Sequence, residues 1–295
     1  MHTSLQGRAC TGRWANDAKG DKMRQVGART SVMAGGRQGP SLGSGGLGQP
    51  TTGRYFDQIA SSWVDRYADH PSFQERLRVV AHVVESLLAG VDCPWVFDFG
   101  GGPGIFSLLC SDRASFVLDL DPSLEMLRAG VSGHAAMEAV LGRATLTPPR
   151  VVRRAAGTLD AVSVNADGRF DLVLAIAVLE YLEDPGGAVA RLARLLRPGG
   201  ALLLTVPRAR SIARRTERLM GHIMVGTERD SDLHPRPPRS YTRLRPYGDR
   251  VPWDTAVASV GLRIELRRPL ALASAGPMSY MRPNDIVVLR RGQFP

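Results

Sequence analysis

Trp95–Ser107 reads WVFDFGGGPGIFS: a short apolar run around Asp98, four glycines within five positions, and an apolar stretch from Ile105 onward. A strand buried in a parallel sheet has this kind of apolar run, bounded by turn residues. Glycine has no Cβ, so it permits positive φ angles and lets a ligand approach the backbone closely. The stretch therefore predicts a buried strand, a glycine loop and a helix, the unit with which open α/β sheets hold nucleotides beside the carboxyl ends of their strands.

The spacing of the glycines separates two kinds of nucleotide site. The pattern is Asp98-x-Gly100-x-Gly102-x-Gly104, and position 105, where a dinucleotide fingerprint needs its third glycine, is occupied by Ile105. The pattern therefore disfavours a nicotinamide or flavin dinucleotide and leaves other nucleotides open.

A second indication is an acidic residue at the end of the next predicted strand, Phe116–Leu120. Asp121 follows this strand and lies 19 residues after Gly102. A carboxylate about 20 residues beyond a glycine loop can accept hydrogen bonds from ribose hydroxyls. Asp119 points to the same side of the strand, because side chains alternate, and is the alternative ribose ligand.

Three motifs in sequence order, together with these glycines, resemble the class I AdoMet (S-adenosylmethionine)-dependent methyltransferases of the small-molecule type. The motifs are DFGGGPG, VLDLDPSLEML, and FDLVLAIAVLEYLEDP followed by LLRPGGALLLTVP. The resemblance covers residues 55–206. It implies an α/β fold with a doubly wound, mostly parallel seven-stranded sheet, helices on both faces and an antiparallel last strand. It also implies a methyltransferase domain over 54–295, with a substrate cap at 208–250.

The resemblance further implies AdoMet as the cofactor, no metal, and a set of cofactor-binding residues. For Arg76, a surface arginine on an amphipathic helix is an alternative interpretation. Tyr55 and Trp63 are candidates either for a lid over the cofactor or for packing on the sheet. The implied cofactor-binding residues are Asp98, Gly100, Gly101, Gly102, Gly104, Asp121, Pro122, Thr158, Leu159, Ala175, Ile176 and Arg76.

The catalytic residues are less defined, because methyl transfer from a sulfonium depends mainly on positioning and exclusion of water. A base is needed only when the accepting atom carries a proton. Many family members have His at the position of Tyr181, so an imidazole base is missing there; Tyr181 is a candidate either for orienting the acceptor or for a structural role. His222 and His234, in the predicted cap, are candidate bases.

The remaining elements follow from periodicity and turn residues. Ala129–Pro149 is longer than a connection at that place requires and has no assigned function. Helices are predicted at 54–67, Phe73–Leu88 and Trp253–Val260; further strands are predicted at Arg150–Arg154, Phe170–Val178, Ala201–Val206, Gly261–Leu266 and Asp285–Arg290.

The two flanks of the predicted domain differ from its core in composition. Residues 1–53 are rich in Gly, Ser and Arg without a sustained period, which predicts a disordered extension. Residues 51–204 carry 14 basic against 18 acidic residues, whereas 205–250 carry 11 against 5. Because guanidinium groups pair well with carboxylate and phosphate, the arginines of the cap predict a small anionic acceptor.

Composition also bears on the cellular location and the binding partners of the protein. Three cysteines without metal-like spacing indicate a reducing, cytoplasmic location, and no apolar run is long enough for a membrane span. The residues after the fourth strand do not match the Asn/Asp-Pro-Pro-aromatic turn of DNA amino-methyltransferases. Neither Cys93 nor Cys110 follows a proline, as the Pro-Cys nucleophile of cytosine C5 chemistry requires. A small-molecule acceptor is therefore predicted, and nucleic acid is disfavoured because interleaved aromatic and basic residues are sparse. RNA, suggested by the basic flanks, and a non-catalytic AdoMet-binding subunit stay as alternatives.

Overall fold

A computed structural model describes residues 50–142, 151–208, 212, 257–270 and 284–293, which all belong to one compact unit spanning Gly46–Pro295. The predicted extension up to residue 49 lies outside the described residues. So do most of the predicted cap and most of the predicted helix Trp253–Val260.

Three helices precede the first strand, after which strands and helices largely alternate up to β5. The helices are α1 (Pro50–Ile59), α2 (Asp65–Asp69), α3 (Pro71–Leu88), α4 (Ile105–Ser111), α5 (Leu124–Ser132), α6 (His134–Leu141) and α7 (Pro185–Leu195). The strands are β1 (Trp95–Phe99), β2 (Phe116–Asp121), β3 (Val152–Ala156), β4 (Phe170–Ala175), β5 (Leu196–Pro207), β6 (Leu262–Pro269) and β7 (Asn284–Arg291). Short 3₁₀ turns cover Ala60–Ser62, Leu159–Ala161, Val164–Ala166 and Leu179–Tyr181.

The strands form one seven-stranded sheet in the order β3-β2-β1-β4-β5-β7-β6. Strands β1 to β5 run parallel to one another, and β7 lies between β5 and β6, antiparallel to both. This confirms the predicted doubly wound, mostly parallel sheet. The strand order reverses between β1 and β4, and in open α/β sheets ligands bind in the crevice at such a reversal.

Both faces of the sheet are covered, as alternation along β4 illustrates. Leu172 and Leu174 pack into one buried cluster with α3 and α4, whereas Val173 and Ala175 pack into the other with α7. A strand buried on both faces is apolar at consecutive positions, which is why β4 appears in the sequence as a continuous apolar run.

Several elements differ from their predicted bounds; β5, for example, begins at Leu196, five residues earlier than predicted. The predicted first helix is divided, because the chain passes from α1 through a 3₁₀ turn to the short α2. Strand β3 begins at Val152, two residues later than predicted, and β4 ends at Ala175 because Ala177 adopts a positive φ of 57°. Part of the long connection after 129 is helical, in α5 and α6.

Within the described part of the chain, no helix is both long enough and apolar enough to cross a membrane.

Candidate active site

The glycine loop after β1 is packed tightly underneath and open above. Gly100, Gly102 and Gly104 have φ angles of 68°, 59° and 82°, a conformation that costs other residues free energy. A Cβ at Gly100 would collide with the side chain of Val178, and one at Gly101 with the carboxylate of Asp119. A Cβ at Gly102 would meet no atom within 4 Å. The loop therefore presents bare backbone to the cleft above it.

Asp121 is the acidic residue that faces this cleft. Its Oδ2 accepts a hydrogen bond from the Gly102 N–H at 2.8 Å, and its Oδ1 accepts one from the Ser123 N–H at 2.7 Å. Burial raises the pKa of Asp121 to about 6, although these two backbone bonds favour the charged form. The carboxylate is therefore fixed in direction and ionised at neutral pH.

The alternative ribose ligand, Asp119, lies beneath the loop instead. It is fully buried, does not line the cleft, and one carboxylate oxygen lies 3.5 Å from Arg154 Nε. Burial, with the charge of Asp98 as a second cause, raises the pKa of Asp119 well above its ordinary value. The structure thus separates two acids two residues apart into one cleft residue and one supporting residue.

Asp98 supports the loop in a similar way. It is buried, accepts a hydrogen bond from the Ser107 hydroxyl at 2.8 Å, and stands beside Asp119 in the register of β1 and β2. Burial raises the pKa of Asp98 to about 6, and the Asp121 charge adds to the effect while the Ser107 bond opposes it. Asp98 therefore organises the loop and its first helical turn without lining the cleft.

The cleft has a volume of about 850 Å³ measured out to its open mouth, a figure that includes open solvent. Of the predicted binding residues, Arg76, Gly100, Gly101, Gly102, Asp121, Pro122, Thr158 and Ile176 line it, as does the catalytic candidate Tyr181. Asp98, Gly104, Leu159 and Ala175 do not. The sequence prediction missed the lining residues Phe56, Tyr67, Phe99, Pro103, Phe106, Met126, Ala177, Val178 and Leu182; Trp63, predicted as a lid or a packing residue, also lines it.

Aromatic side chains form one wall of the cleft. The Phe56 ring meets the Tyr181 ring edge-on with centroids 4.9 Å apart, and meets Trp63 at 5.6 Å. Tyr55, the other lid candidate, does not line the cleft and packs against Phe56 at 5.1 Å. Helix α1 therefore extends an apolar, water-excluding surface across to the segment that follows β4.

Helix α1 is also fastened on its other side. The Ser123 hydroxyl donates to Asp57 Oδ1 at 2.6 Å, and the Glu125 N–H donates to the same oxygen at 3.2 Å. Ser123 in turn donates its own N–H to Asp121. A chain of hydrogen bonds thus joins α1 to the acid of the cleft, and nothing in the sequence singled out Asp57, because a polar residue on an amphipathic helix is ordinary.

Arg76 supplies a positive charge at the cleft. Its guanidinium carbon lies 4.7 Å from the centre of the Phe73 ring, and its Nε is buried without a hydrogen-bond partner among the described residues. Burial raises the pKa of Tyr67, while Arg76, which bonds to it, opposes the shift. A half-buried guanidinium with an unsatisfied Nε beside an open cleft fits an anionic group of a ligand.

These features together fit a nucleoside that carries an amino-acid tail. Asp121 can accept from ribose hydroxyls, the glycine loop and Arg76 can hold a carboxylate-bearing tail, and Pro122 and Met126 offer apolar surface to a base. Among the described residues, no three His, Cys, Asp or Glu side chains are grouped so that they could hold a metal. The candidate bases His222 and His234 lie outside the described residues.

Comparison with known proteins points the same way. The sequence model of the family described as "Methyltransferase domain" matches residues 73–256. A malonyl-[acyl-carrier protein] O-methyltransferase of Pseudescherichia vulneris is 36% identical over 110 residues, covering 37% of this chain and 38% of that protein. A ubiquinone biosynthesis O-methyltransferase of Alkalilimnicola ehrlichii is 25% identical over 150 residues, covering 51% of this chain and 56% of that protein.

The chain therefore spans roughly two fifths and just over half of the lengths of these two relatives. Among solved structures, magnesium protoporphyrin IX methyltransferase from Synechocystis PCC 6803 with bound SAH (S-adenosylhomocysteine) superposes with a TM-score of 0.52. It shares 16% identity over 80% of this chain and 97% of that one, which shows a common fold.

Proposed function

Because the chain belongs to the methyltransferase-domain family, we propose that it transfers the methyl group of AdoMet to an oxygen or nitrogen of a small anionic metabolite. The observation that carries the proposal is a single cleft bounded by the glycine loop, Asp121 and Arg76 at the reversal of strand order. The names of the relatives, both O-methyltransferases, favour oxygen as the accepting atom.

When bound, AdoMet supplies a methyl group on a positively charged sulfur, which needs no further activation. The task of the chain is then to hold the acceptor in line and to exclude water. Phe56, Trp63 and Tyr181 form the wall suited to excluding water. Tyr181, which lines the cleft, is our candidate for orienting an acceptor. A carboxylate acceptor requires no base, whereas a hydroxyl acceptor must lose its proton.

The anionic character of the acceptor is inferred from the arginines of 208–250. One of them is described: Arg208 Nε lies 3.2 Å from an oxygen of Asp285 and is therefore already engaged in an ion pair. Arg214 and Arg215 lie outside the described residues and are the adjacent arginine pair of this segment chosen for the test. A cleft lined by one sign of charge raises the local concentration of the opposite charge, so the acceptor's KM is expected to depend on salt.

Calorimetry with AdoMet, SAH and NAD tests the cofactor part of the proposal. Binding of AdoMet and SAH without binding of NAD is expected, and tight NAD binding without AdoMet binding would contradict it. Transfer of label from methyl-labelled AdoMet to a panel of small carboxylates and phenols tests the activity. Label appearing in RNA and in no small molecule would favour the nucleic-acid alternative, and AdoMet binding without any transfer would favour the non-catalytic one.

Once an acceptor is found, the paired replacement of Arg214 and Arg215 by Ala should raise its KM and flatten its salt dependence, with SAH affinity nearly unchanged. Replacing the exposed Arg113 and Arg128 by Ala removes the same charge elsewhere and serves as the control. A neutral acceptor whose KM ignores salt and both pairs would refute the anionic assignment.

A further inference from the structure

The exit of β4 contains a strained residue at the wall of the cleft. Ala177 lines the cleft and has a φ of 57°, a left-handed conformation that is unfavourable for a residue with a Cβ. Such a conformation persists only where surrounding contacts impose it, and it concentrates at functional sites. A contact elsewhere in the fold must therefore hold Ala177 in this conformation.

That contact comes from the neighbouring strand. The Ala177 N–H donates a hydrogen bond of 2.8 Å to the hydroxyl of Thr205, which is buried with 1% of its surface exposed. The last paired residues of β4 and β5 are Ala175 and Leu204, so Thr205 is the next residue of β5. Its hydroxyl replaces the next backbone bond of the ladder and lets the chain turn away from the sheet.

Thr205, which accepts this hydrogen bond, lies in a strand that is paired on both sides. On its other side Thr205 pairs with Ile286 of β7, so the side chain projects from a strand held between two neighbours. Thr205 does not line the cleft. Any influence that it has on a ligand must therefore pass through the turn that it holds.

The turn has two connections to the ligand cleft. Ile176, Ala177 and Val178 all line it, and the Val178 side chain fills the space directly under Gly100. A different backbone path at Ala177 would move Val178 and leave the glycine loop without its support. The bond from Ala177 to Thr205 is thus connected to both walls of the site.

We infer that Thr205 is a positioning residue: its hydroxyl holds Ala177 in the left-handed conformation and thereby sets the glycine loop for the cofactor. This inference rests on the proposed use of the cleft for AdoMet. Valine has nearly the shape of threonine but no acceptor, and serine keeps the acceptor. Glycine at position 177 adopts a positive φ without strain, so it should make the hydrogen bond dispensable.

The test measures SAH binding by calorimetry and thermal unfolding for the wild type and four variants. Thr205→Val should bind SAH about tenfold more weakly, the loss expected for one well-placed hydrogen bond, and Thr205→Ser should stay within about threefold of the wild type. Adding Thr205→Val to Ala177→Gly should weaken binding less than about threefold relative to Ala177→Gly alone.

A residue with only a structural role would lower the melting temperature of Thr205→Val and leave SAH affinity unchanged well below that temperature. That outcome overturns the inference, as does a Thr205→Ser variant as weak as Thr205→Val, or a penalty that Ala177→Gly does not relieve. If the wild type itself fails to bind SAH, the proposed function falls and the inference falls with it. Wild-type binding together with an unaffected Thr205→Val variant removes the inference alone.

Discussion

Replacing Asp121 by Asn changes one atom of the cleft and should separate ligand affinity from stability. Both carboxylate oxygens of Asp121 accept backbone hydrogen bonds, from Gly102 and from Ser123. An amide has a single acceptor oxygen, so its NH₂ group would face one of these N–H donors. The variant also loses the negative charge that we assign to the ribose hydroxyls.

The structure predicts that Asp121→Asn weakens SAH binding without a matching loss of unfolding free energy. The pKa of Asp121 is raised from 3.8 to about 6, so ionisation of the buried group costs about 3 kcal/mol of unfolding free energy at neutral pH. Asn does not carry this cost, which offsets the poorer bond to one backbone N–H. A hydrogen bond to a charged group contributes about 1.5–3 kcal/mol, so SAH affinity should fall by about one to two decades.

Calorimetric titration with SAH at pH 7.5 and denaturant unfolding of the same preparations give both quantities. Asp112→Asn, which removes a charge from an exposed position at the end of α4, is the matched control and should change neither. SAH binding of Asp121→Asn at wild-type affinity would refute the reasoning. If Asp119→Asn lost the affinity instead, Asp119 would be the ribose ligand.

Three further outcomes are expected. SAH affinity of the wild type should fall as the pH drops below about 6, because Asp121 becomes protonated. Over the same range, the unfolding free energy of the wild type relative to Asp121→Asn should rise. SAH affinity that stays constant between pH 5 and 8 would contradict this. Asp57→Ala, which removes the bond from the Ser123 hydroxyl, should speed SAH dissociation severalfold in stopped-flow measurements with little change in melting temperature. Gly101→Ala should lower the unfolding free energy by about 1–3 kcal/mol in denaturant titrations, because the new methyl group collides with the buried Asp119 carboxylate. An unchanged unfolding free energy would show that the loop can shift to accommodate the methyl group.

The parts of the fold that could be predicted are those with a local signature. Strand β1 and the glycine loop follow from an apolar run and four glycines, and β4 from a continuous apolar run. The choice of Asp121 over Asp119 followed from spacing, and the structure places Asp121 in the cleft. In each case the residues that define the feature are neighbours in sequence, so no tertiary information was needed.

The missed parts depend on contacts between distant residues. Phe56 and Phe106 are apolar positions on helices, which in sequence cannot be distinguished from core residues, and only the fold turns them toward the cleft. Thr205 lies in an apolar strand, where its hydroxyl has no visible partner until β4 and β5 are aligned. The left-handed Ala177 is equally hidden, because alanine gives no sign of a positive φ.

The cleft is supported by two separate sets of hydrogen bonds, which predicts how the effects of multiple replacements on SAH affinity combine. Asp57 acts on the cleft through Ser123, which bonds to Asp121, so replacements of Asp57 and Asp121 share a partner and should be less than additive in SAH affinity. Thr205 acts through the turn at Ala177, and among the described residues no hydrogen bond is seen between this turn and the bonds that link Asp57, Ser123 and Asp121. Replacements of Asp57 and Thr205 should therefore add. The contact between Phe56 and Tyr181 joins α1 to the segment after β4. Non-additivity between the Asp57 and Thr205 replacements would show that this aromatic contact couples the two supports.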